Sequence, residues 1–142
     1  MPHLTLVRGL PGSGKSTYAR GMFAIHLEAD MFFEDADGNY KYDINLIGVA
    51  HDWCYSSTIH RLRAGYDCVV SNTFTKMWEL EKYLAIPVLI PEVTISVIEM
   101  RTQYGTIHGV PEDKLKVMAA RWQEIPQEWI DDGLIVTRIT HG

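Results

Sequence analysis

The amino-acid sequence predicts an α/β fold, a three-layer sandwich in which a parallel sheet of about five strands carries helices on both faces. Short apolar segments with strand character alternate along the chain with helical patterns, which is typical of parallel β-α-β units. The first strand also runs directly into a glycine-rich segment that opens a helix. The 142 residues are the usual length of one domain, so we expect residues 1–142 to form a single domain.

Five segments rich in aliphatic and β-branched residues have the strand pattern: Leu4–Arg8, Ala24–Glu28, Asp67–Ser71, Val93–Met100 and Leu134–Ile139. Helices are predicted between them, over residues 16–21, 43–64 and 76–85 and from Pro111 onward. Asp43 can cap the long second helix, and Gly65 can end it. Residues near 101–110 are polar and predict a short lid. Ligands of parallel sheets bind at the carboxyl ends of the strands, so the functional residues are expected there.

The segment Gly9–Thr17, GLPGSGKST, fits the P-loop pattern G-x-x-x-x-G-K-[ST] completely. Its glycines allow backbone angles that aim successive N–H groups at a phosphate. Lys15 can reach the β- and γ-phosphates, and the Ser16 hydroxyl is a hard oxygen ligand for Mg²⁺. We therefore expect a P-loop NTPase fold that binds ATP with Mg²⁺. The residues expected to bind the nucleotide are Gly12, Ser13, Gly14, Lys15, Ser16 and Thr17.

Acidic and polar side chains follow two other strands. Asp30 follows the second strand, where a carboxylate could accept the proton of an acceptor hydroxyl if this strand neighbours the first. The third strand ends in Ser71, Asn72 and Thr73, where many P-loop proteins have an acid. These uncharged side chains can hydrogen-bond phosphate, an acceptor hydroxyl or metal-bound water. We therefore expect Asp30, Ser71, Asn72 and Thr73 to contact the substrate.

Phosphoryl transfer also benefits from a cation beside the transferring group. Arg101 opens the predicted lid, and Arg121 lies near the edge of the apolar face of the helix that follows Pro111. Either could reach the cleft, with Arg101 in a catalytic role and Arg121 in nucleotide binding. A surface position for each arginine is an equally simple interpretation.

Composition limits the possible partners. The formal net charge of −5 argues against general electrostatic binding of long nucleic acid, although a local basic cleft can still hold one end. The sequence shows neither a signal-peptide pattern nor an apolar segment of bilayer-spanning length. Cys54 and Cys68 have no metal-binding spacing and predict buried thiols in a reducing compartment. We expect a cytoplasmic protein without a membrane partner.

An ordered set of motifs resembles one group of proteins: GLPGSGKST, Ala29-Asp30, DGNYKYD, Ala50-His51, VVSNTFT, His108 to Pro111, and an M-x-x-R-W run ending at Trp122. The group comprises small P-loop kinase-like ATPase domains related to the kinase half of bacteriophage polynucleotide 5′-hydroxyl kinases. The resemblance implies transfer of the ATP γ-phosphate to a hydroxyl, with Lys15 and Ser16 as the P-loop pair and Asp30 as the general base. It places Arg101 and Arg121 in regions where the group has lid and nucleotide-contacting arginines. Related members often have an aspartate in the segment matched by Ser71-Asn72, and this chain does not.

Three functions remain open from the sequence. The leading hypothesis is a kinase whose acceptor is a polynucleotide 5′-OH, a nucleoside or nucleotide, or another metabolite. An ATPase or ATP-binding module that acts on a partner is the second. The third is a degenerate, non-catalytic P-loop domain, which the uncharged Ser71-Asn72 pair would explain.

Overall fold

A five-stranded sheet forms the centre of the computed structural model, which describes residues 1–101 and 112–140. Every strand pairs in parallel, in the order β2-β3-β1-β4-β5. The strands are β1 (His3–Gly9), β2 (Ile25–Leu27), β3 (Cys68–Asn72), β4 (Thr94–Met100) and β5 (Ile135–Ile139). The predicted α/β class and the five strands are thus confirmed. The lid predicted near 101–110 falls, beyond Arg101, outside the described residues.

The described α-helices are α1 (Lys15–Arg20), α2 (Ile47–Arg63), α3 (Met77–Leu84), α4 (Ile86–Leu89), α5 (Glu112–Arg121) and α6 (Gln127–Asp131). The helix predicted from Asp43 begins instead with a 3-10 turn, Ile44–Leu46, before α2. The Asp43 carboxylate accepts a hydrogen bond from the Asn45 N–H at 2.9 Å and so caps this turn, whereas α2 itself follows Leu46 and has no side-chain cap. The sequence did not predict α4 and α6, which are too short for an apolar periodicity to appear.

Apolar side chains pack on both faces of the sheet because neighbouring residues of a strand point to opposite sides. Leu4, Leu6 and Val70 belong to the larger core cluster, which includes residues of α2, α3 and α4. Val7 and Val69 belong to the smaller cluster on the opposite face, together with Ala19 of α1 and Met100. Because α1 packs on the smaller cluster and α2 packs on the larger one, these two helices lie on opposite faces of the sheet.

The position of Asp30 differs from the expectation in two ways. The strand β2 ends at Leu27, and Asp30 lies in a 3-10 turn that spans Ala29–Phe33. The strand β3 also separates β2 from β1, since Val70 pairs with both Leu27 and Leu6. The sequence placed Asp30 at the end of the second strand and beside the P-loop if that strand neighboured the first; this condition is not met, because strand order depends on pairing between distant segments that local patterns do not encode.

Candidate active site

The P-loop connects β1 to α1 at the carboxyl end of the central strand. Gly12 and Gly14 both have φ of 84°, in the left-handed region that glycine adopts without strain. Gly9 has no room for a side chain: a Cβ there would overlap the Ser13 hydroxyl and lie 3.0 Å from the Met100 carbonyl oxygen. These positions require glycine, as the motif predicts.

Ser13 contributes a buried hydroxyl to the loop. The residue is 2% exposed, and within the described part of the chain its Oγ has no hydrogen-bond partner. Thr17, in contrast, is exposed in the first turn of α1. The loop thus holds a polar group that the surrounding protein does not satisfy, which is uncommon in a buried position and suits a loop that binds an anion.

Lys15 lies within the electrostatic range of two carboxylates. Burial lowers the pKa of the Lys15 ammonium, while the negative charges of Glu28 and Asp30 raise it again. Asp30 itself is exposed, and its Oδ1 accepts a hydrogen bond from the Tyr40 hydroxyl at 3.4 Å. The structure therefore brings Lys15 and Asp30 into one electrostatic neighbourhood although their strands are not adjacent.

Glu28 is a candidate site residue that sequence reasoning missed. Its Oε2 accepts hydrogen bonds from the Ser16 hydroxyl and from the Ser71 hydroxyl, each at 2.8 Å. His26 Nε2 lies 2.6 Å from Ser71 Oγ and 3.5 Å from Glu28 Oε2. Burial raises the pKa of Glu28, but the hydrogen bonds from His26, Ser16 and Ser71 outweigh it and lower the pKa to about 2. The carboxylate is therefore ionised at neutral pH, next to the P-loop serine.

A signal for Glu28 was present in the sequence. In the segment Ile25 to Glu28, apolar and polar residues alternate, so His26 and Glu28 share the face opposite Ile25 and Leu27. Because Ile25 and Leu27 face the larger core, the polar pair must face the P-loop side. This deduction needs the sheet order, which the sequence did not supply.

The three polar residues at and just after the end of β3 lie in different environments. Ser71, 1% exposed, joins Glu28 and His26 on the P-loop side. Asn72 points to the opposite face, where its Oδ1 accepts a hydrogen bond from the Ala29 N–H at 2.9 Å and its amide lies near Cys54. Thr73 is half-buried at the start of the following loop. Asn72 thus holds the backbone immediately before Asp30.

The two candidate arginines act on acidic side chains outside the P-loop. Arg101 donates hydrogen bonds to Glu99 at 3.1 Å and to Glu124 at 2.5 Å. The hydrogen bond to Glu124 contributes most to raising the pKa of Arg101, and the bond to Glu99 adds to it. Arg121 is exposed at the end of α5, where its charge acts on Glu79 of α3. The structure brings neither charge into the group formed by Lys15, Glu28 and Asp30 through a described contact.

A buried arginine supports the loop that follows β3. Arg8 is fully buried, pairs with Glu99 at 2.7 Å and stacks 3.6 Å from the ring centre of Trp122. Its Nε and Nη2 donate to the Phe74 carbonyl oxygen at 3.1 and 2.7 Å. Phe74 has a φ of 47°, a left-handed conformation that is rare outside glycine. Arg8 therefore stabilises a strained turn beside the site.

The donor atoms at Ser16 suit a hard divalent cation. A hydroxyl has one proton and two lone pairs, so Ser16 can donate to Glu28 while its oxygen still faces a metal. Magnesium is usually held by one or two carboxylates together with substrate phosphates, rather than by a cage of protein ligands. Residues 1–101 and 112–140 contain no cluster of three or more His, Cys, Asp or Glu that could hold a metal. Oxygen ligands for Mg²⁺ are thus present beside the P-loop.

None of the helices within the described ranges is both long enough and apolar enough to cross a lipid bilayer.

Known proteins share both the sequence pattern and the architecture. Human NEDD4-binding protein 2 is 29% identical over 138 residues, an alignment that covers 84% of this chain but only 8% of that protein. A putative kinase from Chloroflexus aurantiacus J-10-fl superposes with a TM-score of 0.71 at 17% identity, covering 98% of this chain and 85% of that one. Chaetomium thermophilum Kti12, solved in complex with ADP-AlF3, gives 0.63 at 16% identity over 95% and 88% of the two chains.

A chain of the Pnkp1/Rnl/Hen1 RNA repair complex also superposes, with a TM-score of 0.55 at 19% identity over 92% of this chain and 42% of that one. At such identities these structures show a shared fold, that of P-loop, kinase-like proteins. Residues 4–124 match the family AAA_33, described as an AAA domain. This match covers most of the sequence and includes the P-loop, Glu28 and Asp30. The chain therefore belongs to the AAA_33 family of P-loop, kinase-like AAA domains.

Proposed function

We propose that this protein is a kinase that transfers the γ-phosphate of ATP to a hydroxyl group. The observation that carries the proposal is the proximity of Asp30 to Lys15, whose ammonium lies within the electrostatic influence of that carboxylate. A P-loop lysine within the electrostatic range of an exposed carboxylate combines, in one site, a phosphate-binding cation and a group that can accept a proton. This arrangement serves transfer to a hydroxyl better than nucleotide binding alone, which needs no such base.

Each residue has a role in the proposed reaction. Gly12, Ser13, Gly14 and Thr17 bind the phosphates with Lys15, and Ser16 is a ligand of the magnesium that accompanies ATP. Asp30 accepts the proton of the acceptor hydroxyl as the new oxygen–phosphorus bond forms and the bond between the γ-phosphorus and the bridging oxygen breaks. ADP leaves with the electron pair of that bond. The reaction needs positioning and charge neutralisation more than covalent help.

We further propose a nucleic-acid 5′-OH, or a nucleoside or nucleotide, as the acceptor. Tyr40, whose hydroxyl donates to Asp30, stacks on Tyr42 with 6.4 Å between ring centres, and the two side chains are 53% and 45% exposed. Exposed aromatic rings are platforms for nucleobases. The resemblance to polynucleotide kinases and the fold shared with a chain of an RNA repair complex support the same acceptor class. Ser71, Asn72 and Thr73 complete the acceptor side, with Asn72 acting through the backbone before Asp30.

Arg101 and Arg121 remain proposed cations for the transferring group. Arg101 would have to exchange Glu124 for a phosphate, which is feasible because Glu124 is exposed. A phosphate offers bidentate geometry of the same kind as a carboxylate.

Transfer from γ-labelled ATP with Mg²⁺ to a short oligonucleotide that has a 5′-OH tests the proposal, with nucleosides and a reaction without acceptor in parallel. The Asp30→Asn variant is expected to lose transfer by roughly a hundredfold or more while its affinity for ATP is retained. Asp37→Asn, an exposed change in the same loop, is the matched control and should transfer at the parent rate. Transfer at the parent rate in Asp30→Asn would reject the role of Asp30, and free phosphate without labelled acceptor would favour an ATPase.

A further inference from the structure

The carboxyl end of β3 has no acidic side chain, because Ser71, Asn72 and Thr73 are all uncharged. In P-loop NTPases an aspartate commonly holds magnesium together with the P-loop serine or threonine. A carboxylate nevertheless reaches this place from the neighbouring strand. Glu28 Oε2 lies 2.8 Å from Ser71 Oγ, at the end of β3, and 2.8 Å from Ser16 Oγ.

We propose that Glu28, which follows β2, replaces the missing acid of β3 and positions Mg²⁺ at Ser16. The inference rests on the proposed function only in that the protein binds ATP, and it does not depend on the identity of the phosphate acceptor. It assigns Glu28 to the metal and leaves Asp30, two residues later, to the acceptor. The two carboxylates of this segment thereby have separate tasks.

The hydrogen bonds around Glu28 have the direction that a metal site needs. Ser16 donates its only proton to Glu28, which turns the lone pairs of its oxygen toward a cation. Ser71 also donates to Oε2, and within residues 1–101 and 112–140 Oε1 has no hydrogen-bond partner. Oε1 can therefore accept a hydrogen bond from metal-bound water. His26, 2.6 Å from Ser71 Oγ, supports the orientation of the Ser71 hydroxyl.

The charge of Glu28 distinguishes this role from a merely structural one. The side chain is 22% exposed, and its Oε2 accepts hydrogen bonds from two hydroxyls, surroundings that suit a carboxylate. An ionised carboxylate beside a phosphate loop repels a triphosphate unless a cation lies between them. A residue that only fixed Ser16 would not need this charge, and a neutral amide would serve equally well.

The test is equilibrium binding of ATP, measured by calorimetry with excess Mg²⁺ and separately with EDTA. In the parent, Mg²⁺ should increase the affinity for ATP. In Glu28→Gln this Mg²⁺-dependent gain should fall by roughly 10- to 100-fold, the usual effect of losing a group that orients a metal ligand. With EDTA, Glu28→Gln should bind ATP as tightly as the parent or more tightly, because a repulsive charge is gone.

A second substitution separates the role of the charge from the integrity of the fold. Adding Ser71→Asp to Glu28→Gln returns a carboxylate to the end of β3, and the Mg²⁺-dependent gain should recover. Glu92→Gln, an exposed change beyond the opposite end of β4, should behave as the parent. If Glu28→Gln fails to fold, Glu28→Asp is the alternative, because it keeps the charge on a side chain one methylene shorter. This variant should lose part of the Mg²⁺-dependent gain in ATP affinity.

Two results would overturn the assignment. One is an unchanged Mg²⁺-dependent gain in Glu28→Gln, and the other is an equal loss of ATP affinity with and without Mg²⁺, which would indicate a structural role. Either result leaves the transfer assay of Asp30→Asn unaffected, so the failure of this inference is distinguishable from the failure of the proposed kinase activity.

Discussion

Gly9 is the residue at which the P-loop can least accept a side chain. A methyl group there would overlap the Ser13 hydroxyl and press on the Met100 carbonyl oxygen, which belongs to the neighbouring strand β4. Since Ser13 is buried, neither neighbour can move away at low cost. The loop and the sheet meet at this position without spare volume.

We predict that Gly9→Ala lowers the free energy of unfolding by about 1–3 kcal/mol, as expected for overpacking, and weakens ATP binding because the loop must shift. Chemical denaturation and calorimetry measure the two effects. Gly48→Ala is the matched control, since no atom lies within 4 Å of the added methyl group and alanine favours the helix. A Gly9→Ala protein with the parent's stability and affinity would contradict the steric argument.

At the scale of elements, the 3-10 turn Ala29–Phe33 presents Asp30 to the site. The turn is joined to β3 by the hydrogen bond from the Ala29 N–H to Asn72, a buried contact across two elements. Phe33 anchors the other end of the turn, since it is buried and its ring contacts Tyr40 and Tyr42. The proposed base therefore depends on packing behind it.

We predict that Asn72→Ala slows phosphate transfer while ATP affinity changes little, because the proposed base loses its support and the P-loop does not. The unpaired Ala29 N–H should also cost roughly 1–3 kcal/mol of stability. Transfer kinetics, ATP binding and denaturation separate these effects. Asn45→Ala, an exposed substitution, is the control, and an equal loss of ATP affinity and transfer in Asn72→Ala would refute the positioning role.

The same turn shows what sequence analysis could and could not predict. The strands and the P-loop follow from local patterns of apolar residues and glycine, and their prediction was correct. The place of β3 between β2 and β1 follows from pairing between distant segments, so the neighbours of Asp30 were unpredictable. Glu28 was missed for this reason, because its importance arises only when Ser16 and Ser71 are brought to it.

At the scale of the whole molecule, one buried carboxylate connects three strands. Glu99 is fully buried and accepts from Arg8 at 2.7 Å, Arg138 at 2.7 Å and Arg101 at 3.1 Å. Arg8 and Arg138 are its register partners on β1 and β5. Through Arg8 the network extends to the carbonyl oxygens of Phe74 and Gln123. Glu99 thus joins the centre of the sheet to the loop after β3 and the segment after α5.

We predict that Glu99→Gln lowers the free energy of unfolding by about 3–5 kcal/mol, because Arg8 would remain buried without a counter-charge. Urea denaturation measures the loss. Glu92→Gln, on the exposed connection before β4, should change the free energy of unfolding by no more than about 0.5 kcal/mol. Equal stability of the two variants would show that the guanidinium of Arg8 is neutralised in another way.

The closeness of Glu28 to Ser71 also bears on how such a site evolves. The two side chains meet across neighbouring strands, so under the proposed role of Glu28 two substitutions would move the negative charge from one strand to the other. A lineage that gains the glutamate at position 28 before it loses an aspartate at the end of β3 always has a carboxylate at the P-loop serine. A lineage that loses the aspartate first has an intermediate without either acid. Selection should therefore favour the first route, and homologues that carry both acids would be its surviving intermediates.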